Sequence, residues 1–476
     1  MPSRRAALLF WIALGAVLML SRLAHRNILW ADEDYHLAGA IQVLWGKIPY
    51  RDFWYDKPPL NLAWFLLFGA QTGMVLRLAG AFLDAGCCVL AYRFAKQAWS
   101  RNEGFAAAAL LAFFLVFYLP PGVIPQEPDS LMLAPHLGAV YLAWRRRPFA
   151  AGLAGGLAFL LSSKGALVLA ACLLFDLGGA AWMMAGFLAP NLAALGILAM
   201  AGAAGPYWDQ VWRWGFLYAG ADPAAQRGAS SLLNWLGFQA ALVIGVAIWW
   251  TIPREESRER WKFVGWIGVS LIGVAIGWRF APRYFLQLLP ALVIPASRGI
   301  VLLRQKTPVI AYLLLGASLA VPLVRFGPRY IELAYEDAAG MAHAWQDVAL
   351  DRESREGARL LSSMAKPGDT IFIWGYRPNL VAYTRLPVGS RWWDSQPVTG
   401  VPADRHLSSA TPVAPEWARE NRKELARSHP TWIADGLSAY NPALDIHNYP
   451  DLAAWFAQYC EAGRTGGITL YRLCSR

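Results

Sequence analysis

The sequence predicts a polytopic α-helical membrane protein of about eleven spans with a C-terminal extracytoplasmic α/β domain, and three observations predict it. Apolar residues come in runs of about fifteen to twenty, without amphipathic alternation, and the 476-residue chain is 57% hydrophobic and 16% charged. Basic residues gather in alternate connections between those runs. From residue 327 the runs shorten, charges return, and helix and strand patterns alternate.

Judged by length and lack of charge, the predicted spans are 6–24, 77–97, 104–119, 129–144, 149–163, 165–179, 181–203, 232–252, 262–280, 283–300 and 307–326. The two short ones, 149–163 and 165–179, reach about 22 Å each against a hydrocarbon core of about 30 Å, and read as tilted halves of one bent hairpin. "GLAGG" at 152–156 permits close helix packing within a span and is no nucleotide loop. The first span lacks a small-x-small cleavage site before "SRLAHRN" and is read as a span, not a signal peptide.

Orientation follows from the basic clusters Arg4/Arg5, Arg93/Lys96/Arg101, Arg145–Arg147, Arg254/Arg258/Arg260/Lys262 and Arg298/Arg304/Lys306. All five share one side, which positive-inside counting makes cytoplasmic. The N-terminus is then cytoplasmic, and the loop 25–76 and residues 327–476 are extracytoplasmic. The division is a transmembrane domain over 1–326 and an α/β domain over 327–476. The net charge of +11 is mostly this topogenic charge, which argues against a nucleic-acid partner.

Within the first outer loop, Leu37, Ile41, Leu44 and Trp45 recur at helical spacing, predicting a short helix on the membrane surface with Trp45 at headgroup depth. A second outer segment, 204–231, carries Trp208, Trp212, Arg213, Trp214 and Arg227 and reads as an interfacial helix followed by a loop. In the C-terminal domain "RESREGARLLSSMA" predicts a helix and "KPGD" a turn; "TIFIWGY", "PTWIAD" and "GITLYRL" predict strands, with a further helix near 450–459. Cys87, Cys88 and Cys172 fall in spans as small apolar side chains. Cys460 and Cys474 lie in the outer domain, where Gly463, Gly466 and Gly467 let the last strand run back past the helix end; a disulfide is expected, with two thiols as the alternative.

The densest acid cluster stands just outside the first span. Asp32, Glu33 and Asp34 are followed by "YRDFWYDKPPL", in which Asp56 and Lys57 precede two prolines that stiffen the return to the membrane. Any one of these acids alone reads as solvation. Together they read as two carboxylate sets folded back near a cation.

These residues carry a resemblance. "DE", a surface helix and then "GKIPYRDFWYDKPPL" resemble the first extracytoplasmic loop of GT-C glycosyltransferases, in particular the protein O-mannosyltransferase and aminoarabinose-transferase superfamily. "PQEPDSLML", "LSSKGALVL", "RFAPRYFLQLLPAL" and the ending "PGDTIFIWGY…LVAYTRLP" follow in family order, so the resemblance spans nearly the whole chain. It implies a sugar donor carried on a polyprenyl phosphate, a lipid, glycan or protein acceptor, and reaction at the outer face of the inner (plasma) membrane. Such chemistry needs a carboxylate base on one side and positive charge on the other. Carried over by position, the catalytic candidates are Asp32, the better base, with Glu33 and the extra acid Asp34. Lys57 would meet the lipid phosphate, oriented by Asp129, with Glu127 as a nearby competitor. Asp56 stands where aminoarabinose transferases carry a Glu that binds a divalent metal, and is the metal candidate with a shorter side chain.

Further outer cations suit the same phosphate. Arg279 and Arg283 bracket a turn between spans, where snorkelling is the alternative, and Lys164 sits between the two short spans. His36, His136 and His343 have no metal-ligand spacing, and His36 reads as a surface histidine, with orienting a substrate as the alternative. A transporter or flippase of lipid-linked saccharides would show paired halves and acids at mid-membrane, and a non-catalytic sensor would tolerate loss of Asp32. The single outer acid cluster and the absence of repeated halves favour the glycosyltransferase.

Overall fold

The computed structural model describes residues 3–219, 225–251, 257–276, 279–341, 345–402 and 407–474, with the backbone alone at 225–227 and 257–258. Arg254 and His343 and the side chains of Arg227 and Arg258 lie outside the described residues. The chain divides into two compact units. One, the helical unit, comprises Met1–Asn27, Met74–Ala194 and Asp222–Met341; the other, the α/β unit, comprises Ile28–Gly73, Leu195–Ala221 and Ala342–Arg476. A boundary drawn along the sequence at 326/327 separates spans from tail, whereas contacts group the first outer loop and 195–221 with the C-terminal residues.

In the helical unit every predicted span contains helix, and local chemistry sets the ends. Ser3 caps Arg4–Leu23 by accepting from the Ala6 amide at 3.2 Å, and Ser100 caps Arg101–Val116 through Asn102 at 3.2 Å. Pro148 and Pro308 open Pro148–Leu161 and Pro308–Phe326, where a missing N–H costs nothing. Five described helices are long and apolar enough to cross a membrane, or six when Gly228–Phe238 and Ala240–Thr251, bent by 78°, count as one. Most of the shortfall from eleven is one of length: Arg101–Val116, Leu133–Trp144, Pro148–Leu161 and Gly165–Phe175 have 16, 12, 14 and 11 residues, about 24, 18, 21 and 17 Å at 1.5 Å per residue, whereas Ser257–Ala275 has 19 residues and opens on the charged "SRERWK". The expected close approach at "GLAGG" is present. A Cβ on Gly152 would lie 1.9 Å from the Met183 carbonyl oxygen and one on Gly156 2.6 Å from that of Phe187.

The α/β unit is built on a four-stranded sheet of order β1-β2-β4-β3, with β1 Ile371–Trp374, β2 Trp432–Asp435, β3 Tyr459–Arg464 and β4 Thr469–Leu473. β1 and β2 run parallel, and β2/β4 and β4/β3 antiparallel. The first two strands are fully buried; β1 is apolar throughout and β2 is apolar up to its final Asp435. The predicted helix over "RESREGARLLSSMA" is Gln346–Met364, and Gly357 lets it approach Ile468, whose Cδ1 would lie 2.8 Å from an added Cβ.

Two expectations are corrected here. The helix near 450–459 is only Ala453–Phe456 after the 3₁₀ turn Pro450–Leu452, because the chain turns at Gln458 to pair "YCEAGR" with β4. Cys460 and Cys474 are joined across that hairpin, Cα atoms 5.5 Å apart. The helix after Asp34, Glu33–Leu44, does not read as a surface helix, since ten of its twelve residues are buried. It packs against Leu60–Leu66 and Asn379–Thr384. Its Gln42 amide donates to the Leu386 carbonyl at 3.2 Å and accepts from the Val388 N–H at 2.8 Å, so a polar group inside the unit fixes its register.

Candidate active site

In the α/β unit the acidic loop is shaped by its own hydrogen bonds. Glu33 reaches back to accept from the Trp30 amide at 3.0 Å, and the Asp34 amide donates to the Trp30 carbonyl at 3.2 Å. Between them Asp32, the residue before the helix, holds φ 76° and ψ −46°. A non-glycine residue pays about 1–3 kcal/mol for such a conformation, a strain found where surroundings over-determine a functional turn. Glu33 is wholly buried and tied to the turn, Asp34 is buried, and Asp32 is the partly exposed acid of the three.

The second half of the loop is clamped in the same way. Gln210 accepts from the Tyr55 amide at 2.8 Å and donates to the Tyr50 carbonyl at 2.7 Å. The Tyr50 hydroxyl donates to the Lys57 carbonyl at 2.8 Å, and the Asp56 amide donates to the Tyr35 hydroxyl at 3.1 Å. Gln210 lies within Trp208–Arg213, a π-helical stretch of the kind that re-aims side chains at functional sites. Asp56 Oδ2 meets Lys57 Nζ at 3.0 Å, and Lys57 Nζ stands 5.8 Å from the centre of the Tyr218 ring.

The two carboxylate sets do come together, around residues the sequence reading missed. Burial, and then the charges of Asp32, Asp34, Asp56 and Asp394, push the Tyr376 phenol well above its usual range, so four acids act on one hydroxyl. Tyr35 stacks on Tyr55 at 5.3 Å, on Trp393 at 5.5 Å and on Tyr376 at 5.8 Å, an aromatic floor beneath the acids. Burial raises Asp34 well above a normal carboxyl, with Asp32 the next cause. Asp394 is pushed up to about 8 by burial, with Asp56 adding to the shift against a bond from the Gln396 amide. It therefore holds its proton to higher pH than an ordinary carboxyl does. A signal for Tyr376 did exist, since it follows the carboxyl end of β1, where open parallel strands place their sites. Asp394 follows two tryptophans in a loop, and no periodicity marks it.

His36 is not on the surface. It is 1% exposed, and its Nδ1 lies 2.6 Å from the Tyr55 hydroxyl oxygen, so it supports the aromatic floor. Asp56 does not fit a metal centre: its Oδ2 faces Lys57, and among the described residues no group of three or more His, Cys, Asp or Glu side chains could hold an ion. No step below runs through a metal.

The helical unit holds a separate cationic site. Glu127 caps the turn Pro128–Leu131 in a reciprocal capping box with Ser130, and its charge also acts on Lys164. That turn presents Asp129, whose Oδ1 accepts from Lys164 Nζ at 3.1 Å and from Gln287 Nε2 at 3.0 Å. The lysine held by Asp129 is thus Lys164, where the resemblance implied Lys57. Lys164 Nζ also sits 3.3 Å from the centre of the Tyr284 ring, in cation–π contact. Burial lowers the Lys164 pKa while Asp129 opposes that, and Arg283 lowers it further, which places the two cations within electrostatic reach. Arg283 Cζ lies 5.6 Å from the same ring, and Arg279 stands four residues earlier, ahead of Phe280 at φ 47°. Gly165 makes the arrangement feasible, because any Cβ there would lie 2.2 Å from the Phe159 amide.

No protein-family model matches the sequence, and no curated protein matches it. Solved structures do. ArnT from Cupriavidus metallidurans in the apo state is 12% identical at a TM-score of 0.61, over 98% of this chain and 98% of that one. The same protein bound to undecaprenyl phosphate is 14% identical at 0.58, over 99% of each chain. The mycobacterial arabinofuranosyltransferase AftD is 14% identical at 0.50, over 100% of this chain and 42% of that one. At such identities the likeness is one of fold, which this chain shares with ArnT and AftD.

Proposed function

We propose that this chain is a membrane glycosyltransferase that moves a hexosyl or pentosyl group from a polyprenyl-phosphate donor to an acceptor hydroxyl on the extracytoplasmic face of the inner membrane. The observation that carries the reading is the strained turn that leaves Asp32 partly exposed next to Asp34, which lines one small pocket together with Tyr376. The fold supports it, and so does the undecaprenyl phosphate bound by the similar ArnT structure.

Transfer forms a bond between the acceptor oxygen and the anomeric carbon and breaks the bond from that carbon to the phosphate oxygen. The acceptor proton goes to a carboxylate, and the polyprenyl phosphate departs with the bonding pair and one more negative charge. Asp32 is the base in this reading, because Glu33 is committed to the Trp30 amide and Asp34 and Asp394 are biased toward their protonated forms. Lys164 and Arg283 offer positive charge to the phosphate, with Asp129, Gln287 and Tyr284 holding Lys164 in place. Lys57, already paired with Asp56, serves the acid cluster, and Arg279 reinforces the cationic side. The topology that suits these roles has eleven spans, a cytoplasmic N-terminus, and the loop 25–76 and the α/β domain outside.

Lipid extracts of a strain lacking this chain, measured by mass spectrometry, should accumulate a sugar-bearing polyprenyl phosphate, which becomes the donor for a reconstituted assay. With it, Lys164→Ala should weaken donor binding, and wild-type protein should release free polyprenyl phosphate only with acceptor present. An unchanged lipid profile, together with donor affinity equal in wild type and Lys164→Ala, would overturn the reading.

A further inference from the structure

The α/β unit contains a groove of about 410 Å³ whose walls include Trp392, Trp417 and the helix carrying Asp209 and Gln210. Its volume falls within the ~300–1,000 Å³ of ordinary small-molecule pockets. Behind it four indoles form one cluster. Trp54 lies 5.7 Å from Trp214, 5.8 Å from Trp392 and 5.6 Å from Trp417, and Trp214 lies 5.7 Å from Trp417, measured between ring centres. Two guanidinium groups cover its edges: Arg213 stands 5.6 Å from the Trp417 ring and Arg391 4.8 Å from that of Trp392.

Four donors in this cluster have no hydrogen-bond partner among the described residues: the indole N–H groups of Trp54, Trp214 and Trp392, and Nε of Arg391. Buried tryptophans ordinarily satisfy that N–H. Packing alone would be served by phenylalanine, which carries no donor to strand. The charges lining the groove balance, Asp209, Glu420 and Glu424 against Arg391, Lys423 and Arg427, three of each sign. A phosphate-bearing ligand would call for an excess of cations, and an acyl chain for an apolar lining.

We infer that this groove binds a neutral saccharide, the acceptor sugar of the proposed transfer, and the inference rests on that reading for the word acceptor alone. A sugar ring presents flat C–H faces that pack on indoles and a rim of hydroxyls that bond to charged and amide groups, which is the lining found. The groove is also continuous with the acids through the chain itself. Trp54 and Asp56 are two residues apart, as are Trp392 and Asp394, and the two segments are laced together: the Trp54 amide donates to the Arg391 carbonyl at 2.8 Å and the Trp393 indole to the Trp54 carbonyl at 2.7 Å. A sugar held on Trp392 and Trp417 thereby lies against the segment that presents Asp394, and Trp54, packed behind them, ties that segment to the one that presents Asp56.

The test uses the full chain in lipid nanodiscs without donor, with saturation-transfer NMR and calorimetry against maltotetraose, mannotetraose and chitotetraose. At least one should bind saturably. Trp417→Ala should weaken it by about tenfold or more, the loss expected of a central aromatic contact. Should that variant misfold, Asp209→Trp, which fills the groove from a partly exposed helix position, should abolish binding. Absence of saturable binding to all three probes overturns the inference even where transfer is observed. Equal binding in both groove variants overturns it too, as does Trp417→Ala weakening donor-lipid binding in place of saccharide binding. Groove-dependent binding by a chain that shows no transfer would uphold the groove and remove the glycosyltransferase reading.

Discussion

At the scale of single residues, Asp32 combines a strained backbone with the partly exposed carboxylate of the cluster. Asp32→Asn keeps the side-chain shape and loses the base, so turnover should fall by about 10²–10⁴-fold, the usual worth of general-base catalysis, with donor binding retained. Asp32→Gly should be equally inactive yet melt higher, because glycine adopts φ 76° without strain. A thermal midpoint at or below wild type would show that the turn stores no strain. Asp394 makes a pH prediction. Its folded pKa of about 8 stands above the ordinary carboxyl range near 3.9, so the folded state holds a proton that the unfolded chain has lost. Stability therefore falls as pH rises from about 4 to about 8, and the full penalty is present above that. Asp394→Asn removes the ionisation, and its melting temperature should decline less than that of wild type between pH 5 and pH 9. Parallel curves would place the Asp394 titration elsewhere.

At the scale of elements, much was legible because the signals are local. Apolar runs located helix at every predicted span, and β1, β2, β4 and the helix Gln346–Met364 appear where "TIFIWGY", "PTWIAD", "GITLYRL" and "RESREGARLLSSMA" predict them. What was not legible depends on partners remote in sequence. β3 reads "YCEAGR", too polar for a buried strand, and is a strand because β4 and the disulfide hold it at the sheet edge. The helix Glu33–Leu44 shows an amphipathic pattern that suits a membrane surface, yet Leu386 and Val388, more than three hundred residues away, take up its Gln42. The acids of the site were visible as a cluster, whereas Tyr376, Asp394 and the Lys164–Asp129 pairing were not, since each is defined by who its neighbours are. The hairpin supplies a direct test of element stability. The Cys460–Cys474 bond closes a short loop, a constraint worth about 3 kcal/mol in the chain-entropy model. Cys460→Ser with Cys474→Ser should lower the melting temperature of the α/β unit and speed hydrogen exchange first in Tyr459–Leu473. Uniform exchange rates in the two proteins would mean that β-pairing alone holds the edge.

At the scale of the whole molecule, the proposed chemistry depends on which side of the membrane each segment faces, and exposed positions now allow that to be measured. Thr411 is exposed in the α/β unit, and Gln305 is exposed at the end of Leu288–Lys306, beside Arg304 and Lys306. The three native thiols outside the disulfide, Cys87, Cys88 and Cys172, are buried, so they give a low background. In the proposed topology, positive-inside counting sets the basic connection after Leu288–Lys306 in the cytoplasm and residue 411 outside. A cysteine at 411 should therefore react with a membrane-impermeant maleimide added to spheroplasts, and one at 305 should react only after the membrane is opened. The helical lengths make this more than a formality, because five of the described helices, or six with the bent pair, meet the length and apolarity of a span on their own, and the parity of crossings decides where the acids stand. An odd number of crossings before residue 327 puts a polyprenyl-phosphate donor, the acids and the oxidising compartment required by the disulfide on one side. Labelling of 305 but not 411 in intact cells would invert that parity, move the acids to the cytoplasm, and exclude an extracytoplasmic acceptor.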